Sequence, residues 1–179
     1  LVLYNDDDTN RSGIEGNINA HYQIGNFGTP TSGLLATYTG AAAAYSVRQL
    51  ANTAALSMRV REDATDTETN IGFDANGALD TAAIAAHCGT ANGYVVNWFD
   101  QAGSQNDATQ STLASQPKIY DGTTQAVITE NGKPVLDFDG ANLLLSSTTD
   151  TANNTITAFF VATPHAQGTA PGVDIFGQY

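Results

Sequence analysis

A chain of 179 residues with 41% hydrophobic content suits one domain and is long enough to bury a core. Eighteen acidic residues against six basic ones leave a formal charge of −12, which repels phosphate backbones and anionic lipid and argues against nucleic acid or a membrane surface as partner. The longest apolar run, residues 158–162, is too short to cross a bilayer, and a lone cysteine, Cys88, allows no intrachain disulfide.

Residues 1–36 read as an N-terminal arm or linker, either a docking segment or the end of a preceding domain. They carry Asp6-Asp7-Asp8 and the turn-forming Gly28-Thr29-Pro30. Residues 1–4 and 21–24 have strand character but cannot form a core by themselves. Removing this arm is therefore expected to leave the remainder folded but to abolish docking. The start has no basic n-region and no initiator Met, so it is not a signal peptide, and the gene product is expected to begin earlier.

Residues 37–179 read as a sandwich, expected to be incomplete at its C-terminus. Gly40 and four alanines, the strongest helix formers, predict a helix over residues 41–50 with Tyr45, Val47 and Leu50 on one face. Residues 57–61 alternate as a strand, with Met58 and Val60 inward and Arg59 and Arg61 outward. Another short strand covers residues 70–73. Asp80 predicts the cap of a second helix running to about His87, closed by Cys88-Gly89.

From Gly93 onward the chain looks all-β. Strands are predicted over residues 94–99, 117–120, 126–129, 134–138, 143–146 and 155–162. Asn131-Gly132 signals a tight hairpin turn and Asp139-Gly140 the next turn. Short strands with regular turns predict a β-sandwich. The chain closes on a further strand-like segment, residues 174–179. An unclosed sandwich would leave hydrophobic edges for a longer polypeptide or a partner chain.

The turn Asp100-Gln101-Ala102-Gly103-Ser104-Gln105-Asn106 resembles the Tyr-Asp-Gln-Ser-Gly-x-Gly-Asn signature of the α-L-arabinofuranosidase B catalytic domain. Similar segments include Ser46-Val47-Arg48-Gln49-Leu50, Met58-Arg59-Val60-Arg61-Glu62 and Ile71-Gly72-Phe73. Ala83-Ile84-Ala85-Ala86-His87-Cys88 resembles the family's helix ending in Phe-Cys, with His87 in place of Phe. Asp137-Phe138-Asp139-Gly140 is similar to a turn common in laminin-G-like sandwiches. The likeness runs from about Tyr38 to Phe138 and looks closer to versions in marine phage fibre and tail proteins than to the fungal enzymes. It implies a mainly β fold, a concanavalin-like jelly-roll sandwich with two short helices behind the arm. The family's cysteine pairing is absent here. By the order of motifs, its catalytic carboxylates would fall after Tyr179, so no catalytic residue carries over.

The function implied is a non-enzymatic structural or adhesive domain of a virion or cell-surface appendage, extracellular in location. Its expected partners are copies of itself or other appendage proteins through residues 1–36, and surface glycans. The alternatives are an arabinofuranosidase-type hydrolase fragment and a purely structural virion protein.

Glycan recognition needs an aromatic face and a few polar side chains. Trp98, Asp100, Gln101, Gln105, Asn106 and Tyr120 supply these types. Trp98 is expected to serve the core more than a ligand. Asp100 is the best single acidic candidate, but its carboxylate is expected to accept turn N–H groups. No cofactor is expected. Calcium is the one metal with any oxygen ligands in view, at Asp137 and Asp139, where solvated acids and an Asp-Gly turn are the simpler reading.

Overall fold

The computed structural model describes residues 2–4, 33–146 and 157–163. The strands expected at residues 21–24 and 174–179 lie outside them, as does Asp6-Asp7-Asp8. Among the described residues the architecture is mostly β. The strands are β1 (Val2–Tyr4), β2 (Ala41–Ala44), β3 (Leu56–Glu62), β4 (Glu68–Gly72), β5 (Gly93–Trp98) and β6 (Ala108–Thr109). They continue with β7 (Lys118–Asp121), β8 (Ala126–Val127), β9 (Thr129–Glu130), β10 (Lys133–Pro134), β11 (Leu145–Ser146) and β12 (Thr157–Phe159). Two helices accompany them, α1 (Leu34–Thr37) and α2 (Thr81–Cys88), with one 3-10 turn at Leu113–Ser115.

The large sheet is antiparallel and runs β11-β6-β5-β3-β4. Strand β7 pairs with the other end of the same β5 edge and carries β8. The β5 edge is thus shared between β6, at Asn97 and Trp98, and β7, at Gly93 and Tyr94. An extra residue, Val96, bulges from β5 between the pairs Arg59–Asn97 and Val60–Val95. A second sheet runs β12-β1-β2. Ala43 of that sheet is buried with Tyr45 and Ala108, and Trp98 and Ala158 pack against the same cluster. Apolar side chains of two sheets therefore face each other, as in a β-sandwich.

The main core lies between the large sheet and α2. Met58, Val60, Ile71, Ile84, Val95, Ile119 and Tyr120 are buried there together. Helix α2 starts as the sequence predicts: the Asp80 carboxylate accepts the Ala83 N–H at 2.9 Å. It lies close to β5 because Gly93 has no side chain. A Cβ there would sit 2.8 Å from Cys88 Sγ and 3.0 Å from the Tyr120 Cβ. At the hairpin between β9 and β10, Asn131 and Gly132 have φ of 49° and 74°, the left-handed pair that a type I′ turn requires.

Two expectations change, and the N-terminal segment makes contacts that the sequence does not show. Residues 41–44 form strand β2, not the start of a helix. Their backbone groups pair with β1, and Ala43 and Ala44 are fully buried. Alanine's small side chain allows that close packing, and tertiary pairing outweighs its intrinsic helix preference. Arg61 does not point to solvent. It is 5% exposed, with its guanidinium 5.2 Å from the Tyr94 ring centre, Nε donating to Gln116 Oε1 at 2.8 Å and Nη1 to Asp66 Oδ1 at 2.6 Å. Finally, the segment read as an arm touches the rest of the chain at both of its described ends. Strand β1 lies between β2 and β12, while Leu34 is buried with Ala44 and Leu50.

The β3–β4 connection is built around Glu62. Its carboxylate accepts the Thr65 hydroxyl, the Ala64 N–H at 2.7 Å, the Thr65 N–H at 3.0 Å and the Thr67 hydroxyl at 3.0 Å. Those donors, the Thr65 hydroxyl foremost, hold its pKa near 2, below the usual 4.5, against the opposing effect of burial. A depressed carboxylate pKa stabilises the fold above the unfolded value, and that stability drains away as pH falls from about 4.5 towards 2. We expect Glu62→Gln to flatten the acid limb of urea stability measured from pH 5 to pH 2. An unchanged acid limb would show that the connection does not titrate with folding.

Candidate functional site

The turn that follows β5 is organised by one carboxylate. Asp100 Oδ1 accepts the N–H groups of Ala44 and Ala102, each at 2.8 Å. Its Oδ2 accepts those of Ser104 at 3.2 Å and Asn106 at 3.3 Å. The turn thereby wraps around its own first residue and ties itself to β2. Asp107 closes the far side, with Oδ1 accepting the Asp100 N–H at 2.9 Å and Oδ2 accepting Asn97 Nδ2 at 3.2 Å. The expectation that Asp100 satisfies backbone donors is met in full.

Gln101 is the second half of this arrangement. Its backbone N–H donates to Ala44 O at 2.8 Å. The side chain is buried and runs along residues 46–50 in the place of a strand. Its Oε1 accepts the Leu50 N–H at 2.6 Å, and Nε2 donates to the carbonyls of Ser46 and Arg48, each at 3.0 Å. Buried polar groups must be paired, and here one amide side chain satisfies three backbone groups. Asn106 works the same way, with Nδ2 on Ala42 O at 2.9 Å and its own carbonyl accepting the hydroxyls of Tyr45 and Ser146.

The six residues singled out for glycan contact are therefore divided. Asp100, Gln101 and Asn106 come together, but the carboxylate of Asp100, the amide of Gln101 and the amide nitrogen of Asn106 are spent on the fold. Gln105 is exposed in the same turn, with a left-handed backbone at φ 59°. Trp98 is half-buried against both main clusters, its ring 5.8 Å from that of Tyr45. Tyr120 is 1% exposed and sits away from the turn, its hydroxyl donating to Gly89 O at 2.9 Å. It anchors β7 to the end of α2 and offers no face to a ligand.

Asp139 accepts the Ala141 N–H at 2.9 Å within its own turn, and the Asp137 backbone pairs with Lys118. Among the described residues, no three His, Cys, Asp or Glu side chains gather to hold a metal ion. Cys88 is buried, and burial, followed by the charges of Glu62 and Asp63, pushes its thiol up to about 11. A thiol held protonated in this way is a poor nucleophile.

Sequence reasoning passed over Asn97. It stands one residue before Trp98 on the opposite side of β5. Its Oδ1 is buried without a hydrogen-bond partner among the described residues, as is Trp98 Nε1. An orphaned buried acceptor costs about 1–3 kcal/mol, so its presence calls for a reason. The signal in the sequence was a polar Asn inside the apolar run 94–99.

No protein-family model matches the chain, and no curated protein does. One solved structure, described as a GH54 α-L-arabinofuranosidase soaked with a cyclic sulfate inhibitor, aligns at 22% identity and a TM-score of 0.39. The alignment covers 44% of this chain and 19% of that one, so it spans about a fifth of that structure's length. A likeness of this size bears on neither activity nor site.

Proposed function

We propose that this is a non-enzymatic β-sandwich domain with a structural and adhesive role in a surface appendage, of phage fibre or tail type, that recognises surface glycans. The observation that supports it is the saturation of Asp100. Sugar hydrolysis by two carboxyl groups needs one free to attack or to take a proton and a second to give one. In the turn that carries the family resemblance, the Asp100 carboxylate already accepts four backbone N–H groups. Such a turn holds a fold together. The appendage component rests on the sequence resemblance, and the acidic surface is compatible with neutral glycans as ligands.

Two assays on the full-length protein separate this reading from the hydrolase. One is a glycan array, and the other follows release from a chromogenic arabinofuranoside. Binding without turnover is the expected pair of results. Turnover that survives purification to homogeneity would overturn the non-enzymatic reading and favour an arabinofuranosidase-type fragment.

A further inference from the structure

The register of the large sheet places five residues in one row across five strands. Leu145 of β11 is opposite Thr109 of β6, Thr109 opposite Asn97 of β5, Asn97 opposite Arg59 of β3, and Arg59 opposite Asn70 of β4. The neighbouring row is Ser146, Ala108, Trp98, Met58 and Ile71, and its apolar members lie in the core clusters. Successive residues of a strand point to opposite faces. The row through Asn97 therefore belongs to the face turned away from the core and from α2.

We infer that this face, centred on Asn97 and Arg59, is a binding site for a neutral oligosaccharide lying across the strands; the inference rests on the glycan-recognition reading above. The row is about 19 Å long, four interstrand spacings of about 4.8 Å, which suits a chain of several sugars. Its chemistry is mixed in the way hydroxyl groups require. Arg59 donates, and Thr109 both donates and accepts. At one end Leu145, 55% exposed, offers an apolar patch for the C–H face of a sugar ring.

The decisive feature is at the centre. Asn97 is only 9% exposed, its amide nitrogen is fixed on Asp107, and its Oδ1 has no donor among the described residues. The missing partner is a donor such as a sugar hydroxyl. Arg59, directly opposite on β3, has a side chain 42% exposed. It is drawn to the far side by Asn70 Oδ1 at 2.9 Å and loosely by Glu68 at 3.8 Å. A swing of this side chain back towards β5 turns guanidinium N–H groups onto the sugar whose hydroxyl donates to Asn97 Oδ1. Polyanions are disfavoured, because Glu68 stands beside Arg59 and the chain carries a charge of −12.

The test is a glycan array with the full-length protein, followed by titration of the best-bound neutral oligosaccharide against Arg59→Gln, Thr109→Val and, as a control elsewhere on the surface, Glu130→Gln. Thermal unfolding of each variant checks that it is folded. The expected result is at least tenfold weaker binding for Arg59→Gln, several-fold weaker for Thr109→Val, and no change for Glu130→Gln. If the wild type binds and both face variants bind as tightly, this site is overturned while glycan recognition stands. If the wild type binds no glycan, both are overturned.

Discussion

Replacing Asp100 by alanine is expected to cost the fold about 3 kcal/mol, measured as a lowered urea midpoint at neutral pH. Four backbone N–H groups lose their acceptor at once, and one of them belongs to Ala44, which is completely buried. The three within the turn can turn partly to water, but the Ala44 N–H cannot. Asp100→Asn separates charge from geometry. One oxygen can still accept Ala44 and Ala102, but an NH2 group then faces the N–H groups of Ser104 and Asn106. An intermediate loss, about half that of alanine, is expected. If alanine were tolerated without loss, the carboxylate would not be the centre of the turn, and the support it gives to a non-catalytic role would go with it.

Removing residues 1–36 is expected to have a larger effect. The deletion takes away β1, the middle strand of the small sheet, and leaves β2 and β12 without their shared partner. It also removes Leu34, buried against Ala44 and Leu50, whose loss alone would cost about 2–5 kcal/mol on the scale of large-to-small core substitutions. The truncated protein should therefore unfold at least 10 °C lower in a thermal melt, since about 1 kcal/mol shifts the midpoint of a domain of this size by roughly 2–4 °C. This departs from the expectation drawn from the sequence, that the remainder stays folded and only docking is lost. A truncated protein melting at the wild-type temperature would return these residues to the role of an appendage.

Elements are legible in this sequence where the information that makes them is local. Met58 and Val60 alternate with polar neighbours, Asp80 stands before an alanine-rich stretch, and Asn131-Gly132 separates two short strands. Each signal is complete within a few residues, and the strand, the helix and the tight turn formed as read, although the strand expected over 134–138 shrinks to Lys133–Pro134. Ala41–Ala44 could not be read that way, because what makes it a strand is β1, about forty residues earlier. Alternation puts Arg61 outward, correctly as to face. Its burial comes from Tyr94, Gln116 and Asp66, which no period reveals. The site was legible only in part. The Asp-Gln turn announced itself, but residue type alone could not show that its polar atoms were already committed. The Asn97 row is a property of register between five strands, and register is what a single sequence hides best.

The stapled turn also has a consequence in time. Asp100 and Gln101 hold groups 51 to 56 residues earlier in the chain. Between the two lie β3, β4, α2 and β5, so closing that contact means ordering a long loop first. Contacts of such span are expected to form late on the path to the native state, after the β3–β4 hairpin and the helix packed on it. A lock that engages last governs escape more than arrival. Its loss should show mainly as faster unfolding, leaving the folding rate nearly unchanged. Under the proposed role on a surface appendage, where refolding would be no help once a protease had cut, slow escape would be the form of stability that matters.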